Sequence, residues 1–218
     1  MSNKEPEALL AEQIEYYRAV ASEFESLSLP GWGGPEVADA LEVFRPTKDV
    51  LELACGAGMW AERLLLHATS ITAVDAAPEM LARAQARVGS ASARFVRADL
   101  FSWGPDTRYD VVFFGFWLSH VPRDRFELFW SLVDACLKPG RRVFFVDDAF
   151  RTPEELIEGE SFSTIQRRLN NGTAHHIVKV PYQPANLETK LASLGWSFTV
   201  TQTSGFFYWG TGGRARPG

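Results

Sequence analysis

Asp49-Val-Leu-Glu-Leu-Ala-Cys-Gly-Ala-Gly58 decides how this chain is read. An apolar strand runs straight into a tight glycine turn, with Glu52 just before it. Gly56 and Gly58 let the backbone turn sharply and approach a ligand with no Cβ in the way, while the following helix offers its free N–H groups. The result is a nucleotide-type cradle with an acidic lip. Glu52 would repel a pyrophosphate and attract a ligand carrying an ammonium and a sulfonium. Its place between buried leucines and the turn makes it a ligand group rather than a chance surface acid.

The glycine spacing alone does not choose the ligand, because Gly56-Ala-Gly58-Met-Trp-Ala61 also satisfies the dinucleotide fingerprint. Two further strands separate the choices. Ser70-Ile-Thr-Ala-Val-Asp75 ends in an acid suited to both hydroxyls of a ribose, and Arg94-Phe-Val-Arg-Ala-Asp99 ends in an acid followed by Leu100 and Phe101, suited to an adenine amino group and its ring. Three carboxylates near one cleft disfavour a phosphate-rich ligand and favour a cationic adenosyl one. The expected cofactor is S-adenosyl-L-methionine rather than NAD.

The motif ELACGAG, Asp75 with Pro78-Glu-Met80 opening the next helix, and the Ala-Asp pair at Asp99 together resemble class I S-adenosylmethionine-dependent methyltransferases. Asp110-Val-Val-Phe-Phe-Gly-Phe-Trp-Leu-Ser-His120 and Lys138-Pro-Gly140 extend the resemblance, which covers Asp49 to Asp148. It implies an α/β fold: a doubly wound, Rossmann-like seven-stranded sheet, mostly parallel with a C-terminal antiparallel hairpin, and helices on both faces. In that family the glycine loop holds the methionine moiety, here Glu52 to Gly58, while Asp75 takes the ribose and Asp99 the adenine. Ala54, Trp60, Ala76, Met80, Leu100 and Phe116 are expected beside the same ligand. Tyr16 and Tyr17 resemble the tyrosine-bearing N-terminal helix that covers the cofactor in many small-molecule members, Tyr16 with the more available hydroxyl.

The resemblance implies methyl transfer by in-line displacement to an oxygen or nitrogen of a small-molecule metabolite or natural product, with S-adenosyl-L-homocysteine as product. Two alternatives stand beside it: a protein that binds S-adenosylmethionine without transferring its methyl, and an NAD-dependent oxidoreductase, which the three carboxylates oppose.

Composition sets bounds. With 218 residues, 46% of them hydrophobic and 13% aromatic, the chain can bury one substantial core. The expected organisation is a single domain: a helical cap at 1–45, a cofactor core at 49–148, an insertion near the acceptor at 149–180, and a C-terminal helix and hairpin at 181–218. The net charge of −5 argues against a nucleic-acid partner. Met1 to Glu12 is charged, and no apolar run reaches membrane-spanning length, so a cytoplasmic monomer or homodimer acting on a small molecule is expected. Cys55 and Cys136 form neither a disulfide framework nor a metal spacing, and no metal is expected.

Leu10, Ile14, Tyr17, Ala21 and Phe24 recur at helical spacing, and a second helix is read at Glu36 to Phe44. From Asp49, strands alternate with helices at Met59 to Leu66, Pro78 to Val88 and Arg125 to Leu137, calling for parallel strands. Strand five is read at Arg141 to Asp147. A polar stretch, Phe150 to Gly172, precedes Ile177 to Val180 and a helix at Pro184 to Leu194, and the last two runs, Trp196 to Thr203 and Gly205 to Arg214, read as a hairpin.

The acceptor should sit outside the carboxyl ends of strands four and five. His120 is the first choice for a general base, its free imidazole pKa of about 6.5 suiting proton removal; its alternative role is a backbone hydrogen bond. The acceptor pocket is expected to include Tyr17, Trp32, Trp117, His120, Asp148, Phe150 and Arg168, with Phe162 and the aromatics Phe206 to Trp209 as further wall material. Arg167, Arg168 and Lys179 read as a solvated helix face more readily than as an anion clamp, Asp147-Asp148 as an amine anchor or a loop cap, and Asp110 as structural.

Overall fold

The computed structural model describes residues 6–26, 34–157 and 163–215. Seven strands form one sheet: β1 (Lys48–Leu53), β2 (Ala68–Asp75), β3 (Ala93–Arg97), β4 (Tyr109–Gly115), β5 (Leu137–Asp148), β8 (Trp196–Gln202) and β9 (Phe207–Arg214). Their spatial order is β3-β2-β1-β4-β5-β9-β8. The first five are parallel, and β9 lies antiparallel between β5 and β8. A separate two-stranded antiparallel ribbon is built from β6 (Thr164–Arg168) and β7 (Ala174–Val178).

The parallel strands read as apolar runs because both faces are covered. Val50, Leu51 and Leu53 of β1 and Val112, Phe113 and Phe114 of β4 are fully buried. On one face, α5 (Phe126–Cys136) and α6 (Pro184–Ser193) join a core in which the Phe114 ring stacks on Phe145 at 5.4 Å and meets Phe129 edge-on at 5.1 Å. On the other face lie α2 (Gly34–Phe44), α3 (Met59–Leu64) and α4 (Pro78–Val88), over a stack of Phe113, Phe144 and Trp209.

The helix α1 (Pro6–Val20) docks against β7 and α4 rather than against the main sheet. It ends at Val20 and tightens into a 3₁₀ turn over Ala21–Ser26, short of the continuous helix the periodicity implied. Its buried positions are Leu10, Gln13, Tyr16 and Val20, displaced from the expected stripe of Leu10, Ile14 and Tyr17. The face that docks is partly polar, and Gln13 is buried because its amide is bonded at both ends.

The Phe150 to Gly172 stretch holds a 3₁₀ turn at Pro153–Glu155 and the strand β6. This corrects the reading of Arg167, Arg168 and Lys179 as a solvated helix face. Arg167 and Arg168 lie on a strand, and Lys179, just after β7, is 1% exposed. Strand β5 also begins earlier than expected, at Leu137, passing through Lys138-Pro-Gly140. Asp110, at the opposite end of the sheet from the glycine turn, binds Lys138 Nζ at 2.6 Å and Arg141 Nε at 3.0 Å. Trp32 and Phe162 lie outside the described residues.

Candidate active site at the switch point of the sheet

Strand order places β1 beside β4, where successive connections depart in opposite directions and a crevice opens outside the strands' carboxyl ends. Both strands end there in a left-handed residue other than glycine: Ala54, with φ 53°, and Phe116, with φ 56°. Such conformations cost on the order of 1–2 kcal/mol and persist where surroundings enforce them. They turn the two chains away from each other and leave a cavity of about 620 Å³ between them, within the usual range for a small-molecule site.

The glycine turn forms the floor. Gly56, with φ 52°, donates its N–H to Asp75 Oδ2 at 2.8 Å, and Asp75 Oδ1 accepts the Ala77 N–H at 2.9 Å. One carboxylate therefore fixes the turn after β1 and the entry to α4. Burial pushes Asp75 above the usual carboxylate range, opposed by those same N–H groups. Gly58 does not line the cavity. At φ 77°, a Cβ there would sit 2.9 Å from the backbone and Cβ of Ala84, so its role is close packing of α3 on α4.

Glu52 is 1% exposed and does not itself line the cavity, and its Oε2 has no hydrogen-bond partner among the described residues. Burial, then the charge of Asp75, raises its pKa well above 4.5. An uncompensated buried carboxyl beside a second acid fits a cationic ligand and suits no pyrophosphate. Binding an ammonium there should draw Glu52 to its ionised form and release a proton. S-adenosylmethionine affinity is then expected to rise with pH across the range in which free Glu52 titrates, and Glu52→Gln to abolish the proton release. Calorimetry in buffers of differing ionisation heat measures both; equal proton release from the variant would remove Glu52 from the binding event.

Trp60, Asp75, Ala76, Asp99, Leu100 and Phe116 line the cavity together with Ala54 and Gly56. Asp99 is exposed at the rim and caps the following turn through the Phe101 N–H at 3.0 Å. Met80, expected beside the ligand, instead packs in a small core with Tyr16, Val20 and Ile165 and does not reach the cavity, because its helix face turns toward α1.

The roof is α1 with β6 and β7. Tyr16 and Tyr17 both line the cavity; the Tyr16 ring is 4% exposed and packs against β6 and β7, while the Tyr17 hydroxyl is the more deeply buried of the two hydroxyls. Tyr17 Oη lies 3.0 Å from His120 Nε2. His120 itself is 2% exposed, and burial, then Lys179 and Arg167, hold its pKa well below 6.5. It lines the cavity but lacks the basicity of a free imidazole.

Trp117, Asp148, Phe150 and Arg168 complete the far wall. Arg168 stands at the exposed mouth, bonded to Gln166 and the Gly172 carbonyl. Phe207 and Tyr208 are buried behind the wall, Phe207 with its ring 4.9 Å from Phe116, and none of the aromatics Phe206 to Trp209 lines the cavity.

Among the wall residues that the sequence reading did not place in the site are Gln13, Glu155, Arg167 and Lys179. Lys179 Nζ donates to Asp148 Oδ2 at 2.9 Å and Ser119 Oγ at 3.1 Å, and Arg167 Nε donates to Glu155 Oε1 at 2.9 Å.

A family model described as "Methyltransferase domain" matches residues 50–140. DhpI in its complex with SAH superposes with a TM-score of 0.86 at 37% identity, covering 98% of this chain and 100% of that one; the DhpI-SAM-HEP complex gives 0.85 at 38%. A Burkholderia thailandensis 1,6-didemethyltoxoflavin-N1-methyltransferase shares the fold at 16% identity, with a TM-score of 0.71 over 99% of this chain and 93% of that one. Trans-aconitate 2-methyltransferase of Escherichia coli O139:H28 is 32% identical over 117 residues, which are 52% of this chain and 44% of that enzyme. The chain thus spans less than half the length of the curated relatives it matches. With a full-length relative at 37% identity and the glycine turn, paired acids and switch-point cavity in place, the chain belongs to the class I S-adenosylmethionine-dependent methyltransferases.

Proposed function

We propose that the protein methylates an oxygen of a small anionic molecule, a carboxylate or an oxyacid of phosphorus. The observation that carries this is an asymmetry of unused hydrogen-bonding capacity at the roof of the cavity. Of the three acids there, Glu154 is exposed and the two inner ones are committed: Asp148 accepts from the Phe150 N–H and Lys179, and Glu155 from Arg167 and the Thr152 N–H. Arg167 is not: it commits its Nε to Glu155 and retains donors on its planar fork, whereas Lys179 is held by Asp148, Ser119 and, at 3.7 Å, Asp147. An incoming anion meets the spare donors of Arg167, whereas an incoming cation meets inner carboxylates already occupied. The relative named for trans-aconitate, a carboxylate, supports the same reading.

The cofactor end has the opposite sign. Glu52 and the turn at Gly56 would hold the amino-acid portion, Asp75 the ribose, Asp99 with Leu100 the adenine, and Trp60 and Phe116 would wall the sulfur. When bound, S-adenosylmethionine supplies an electrophilic methyl whose bond to sulfur breaks with its electron pair on sulfur, so an anionic oxygen forms the new bond and gives up no proton. The chain's work is alignment and exclusion of water, with α1 over the cavity and acids and bases at its two ends drawing oppositely charged partners into line.

The test is an acceptor screen with S-adenosylmethionine, reading S-adenosylhomocysteine formation on trans-aconitate, simple dicarboxylates, alkylphosphonates, and matched amines and neutral alcohols. Turnover is expected on the anions, with Arg167→Met raising KM by about 10- to 100-fold, the loss of one or two charge-assisted bonds. Methylation confined to amines would overturn the assignment.

A further inference from the structure

Tyr17 and His120 are held together by three elements distant in sequence. His120 Nδ1 lies 2.6 Å from the Val178 carbonyl at the end of β7. Gln13 of α1 clamps the same pair from the other side, giving its Nε2 proton to the His120 carbonyl at 3.3 Å and accepting the Val178 N–H at 3.0 Å. A carbonyl can only accept, so His120 Nδ1 carries a proton. In a neutral ring Nε2 then bears a lone pair, and Tyr17 Oη, 3.0 Å away, must donate to it. With its single proton committed, the phenol oxygen turns only lone pairs to the cavity that both side chains line.

We infer that Tyr17 and His120 form a dyad in which the imidazole is a positioning residue: it holds the phenol's proton, Tyr17 Oη accepts from the electron-poor groups at the reacting centre, and neither residue takes up a proton during methyl transfer. The inference deepens the proposed function by assigning the pocket's histidine: the absence of proton uptake rests on the anionic acceptor of that reading, whereas the tautomer and the Tyr17 bond rest on the site alone.

The charges around the pair agree. Lys179, after β7, and Arg167, on β6, face the ring as cations, and both oppose an imidazolium. Tyr16 on α1, Asp147 at the end of β5 and Asp75 at the end of β2 face Tyr17 and oppose a phenolate, with Arg167 as the counterweight. Asp148, the other acid at the end of β5, is committed to Lys179. Burial is the larger influence on both groups and acts in the same direction, so the pair stays neutral. A general base at His120 would have to gain its second proton against two nearby cations, and a bound anionic oxygen has none to give.

The experiment uses the full chain with ¹⁵N-labelled histidine. Of the 4 histidines, His120 is assigned by the signal lost in His120→Gln. Its ring is expected to keep the neutral, Nδ1-protonated signature from about pH 5.5 to 8.5, across the ordinary histidine range, and Tyr17→Phe should shift its Nε2 signal toward that of a free lone pair. An Nε2-protonated tautomer, a ring titrating near pH 6.5, or an Nε2 signal indifferent to Tyr17→Phe would each overturn the inference. Turnover with trans-aconitate as probe gives the second arm. His120→Gln, whose amide oxygen can still accept the phenol's proton, should lose no more than about threefold in kcat, while His120→Leu and Tyr17→Phe each lose about tenfold, the worth of one directed hydrogen bond. S-adenosylhomocysteine affinity, measured by calorimetry, should stay within about twofold throughout. A base would instead make Gln and Leu fall together by about 100-fold or more. If trans-aconitate is not methylated, the kinetic arm is run on whichever anion of the acceptor screen is turned over, and the nitrogen spectra decide the dyad in either case.

Discussion

Asp75→Ala weakens S-adenosylmethionine binding by about 10- to 100-fold, the loss of about 1.5 to 3 kcal/mol that a charged acceptor contributes to bound hydroxyls. The expectation rests on more than the ribose. Asp75 also orients the floor, through Gly56 N–H on one oxygen and Ala77 N–H on the other, so its removal frees the turn that must approach the ligand. Asp75→Asn is expected to fall nearly as far, because the amide's NH₂ end would face one of two backbone donors. Calorimetric titration with S-adenosylmethionine and S-adenosylhomocysteine reads the effect, and an Ala variant within about twofold of wild type would exclude Asp75 from the cofactor site.

Lys179→Met should cost about 3 to 5 kcal/mol of folding stability, the usual consequence of removing one partner from a buried ion pair. Lys179 Nζ lies 2.9 Å from Asp148 and 3.7 Å from Asp147, and all three residues are buried. Even with Lys179 present, burial raises the pKa of Asp147. Without it, Asp147 rises further. A carboxyl whose folded pKa exceeds its unfolded one binds protons more readily in the folded chain, so stability falls as pH rises from about 3.9 through the folded value. The deficit of the variant against wild type is therefore largest near neutrality and narrows in acid. Denaturant titrations at about pH 5 and pH 8 measure it; a deficit that does not change with pH would show that Lys179 does not compensate these acids.

What the sequence made legible is what short stretches encode. Strands β1, β2 and β4, with the turn at Gly56 and the acids at Asp75 and Asp99, are written in consecutive residues, since parallel strands buried on both faces need apolar runs and a tight turn needs glycine. The β6-β7 ribbon was not legible. Thr164-Ile-Gln-Arg-Arg168 has one apolar residue, and what buries Arg167 and Lys179 is Glu155 and Asp148, separated from them by 12 and 31 positions. The rotation of α1 was lost for a related reason: Gln13 counts as polar in any periodicity, yet its two backbone partners lie more than 100 residues away. Met80 illustrates the remaining gap. Its helix was read correctly, but which face meets the ligand depends on where α1 lands.

The docking of α1 has one more consequence. Strand β7 pairs with β6 along one side only, which leaves the N–H groups of His176 and Val178 pointing outward from an edge. Glu12 accepts the first at 3.0 Å and Gln13 the second at 3.0 Å, so side chains of a helix stand where a neighbouring strand would. An exposed ribbon edge is a template for pairing with another chain. The helix that roofs the cavity is thus also a guard against self-association, and a truncation removing it would be expected to leave a protein that aggregates as well as one that no longer encloses its ligand.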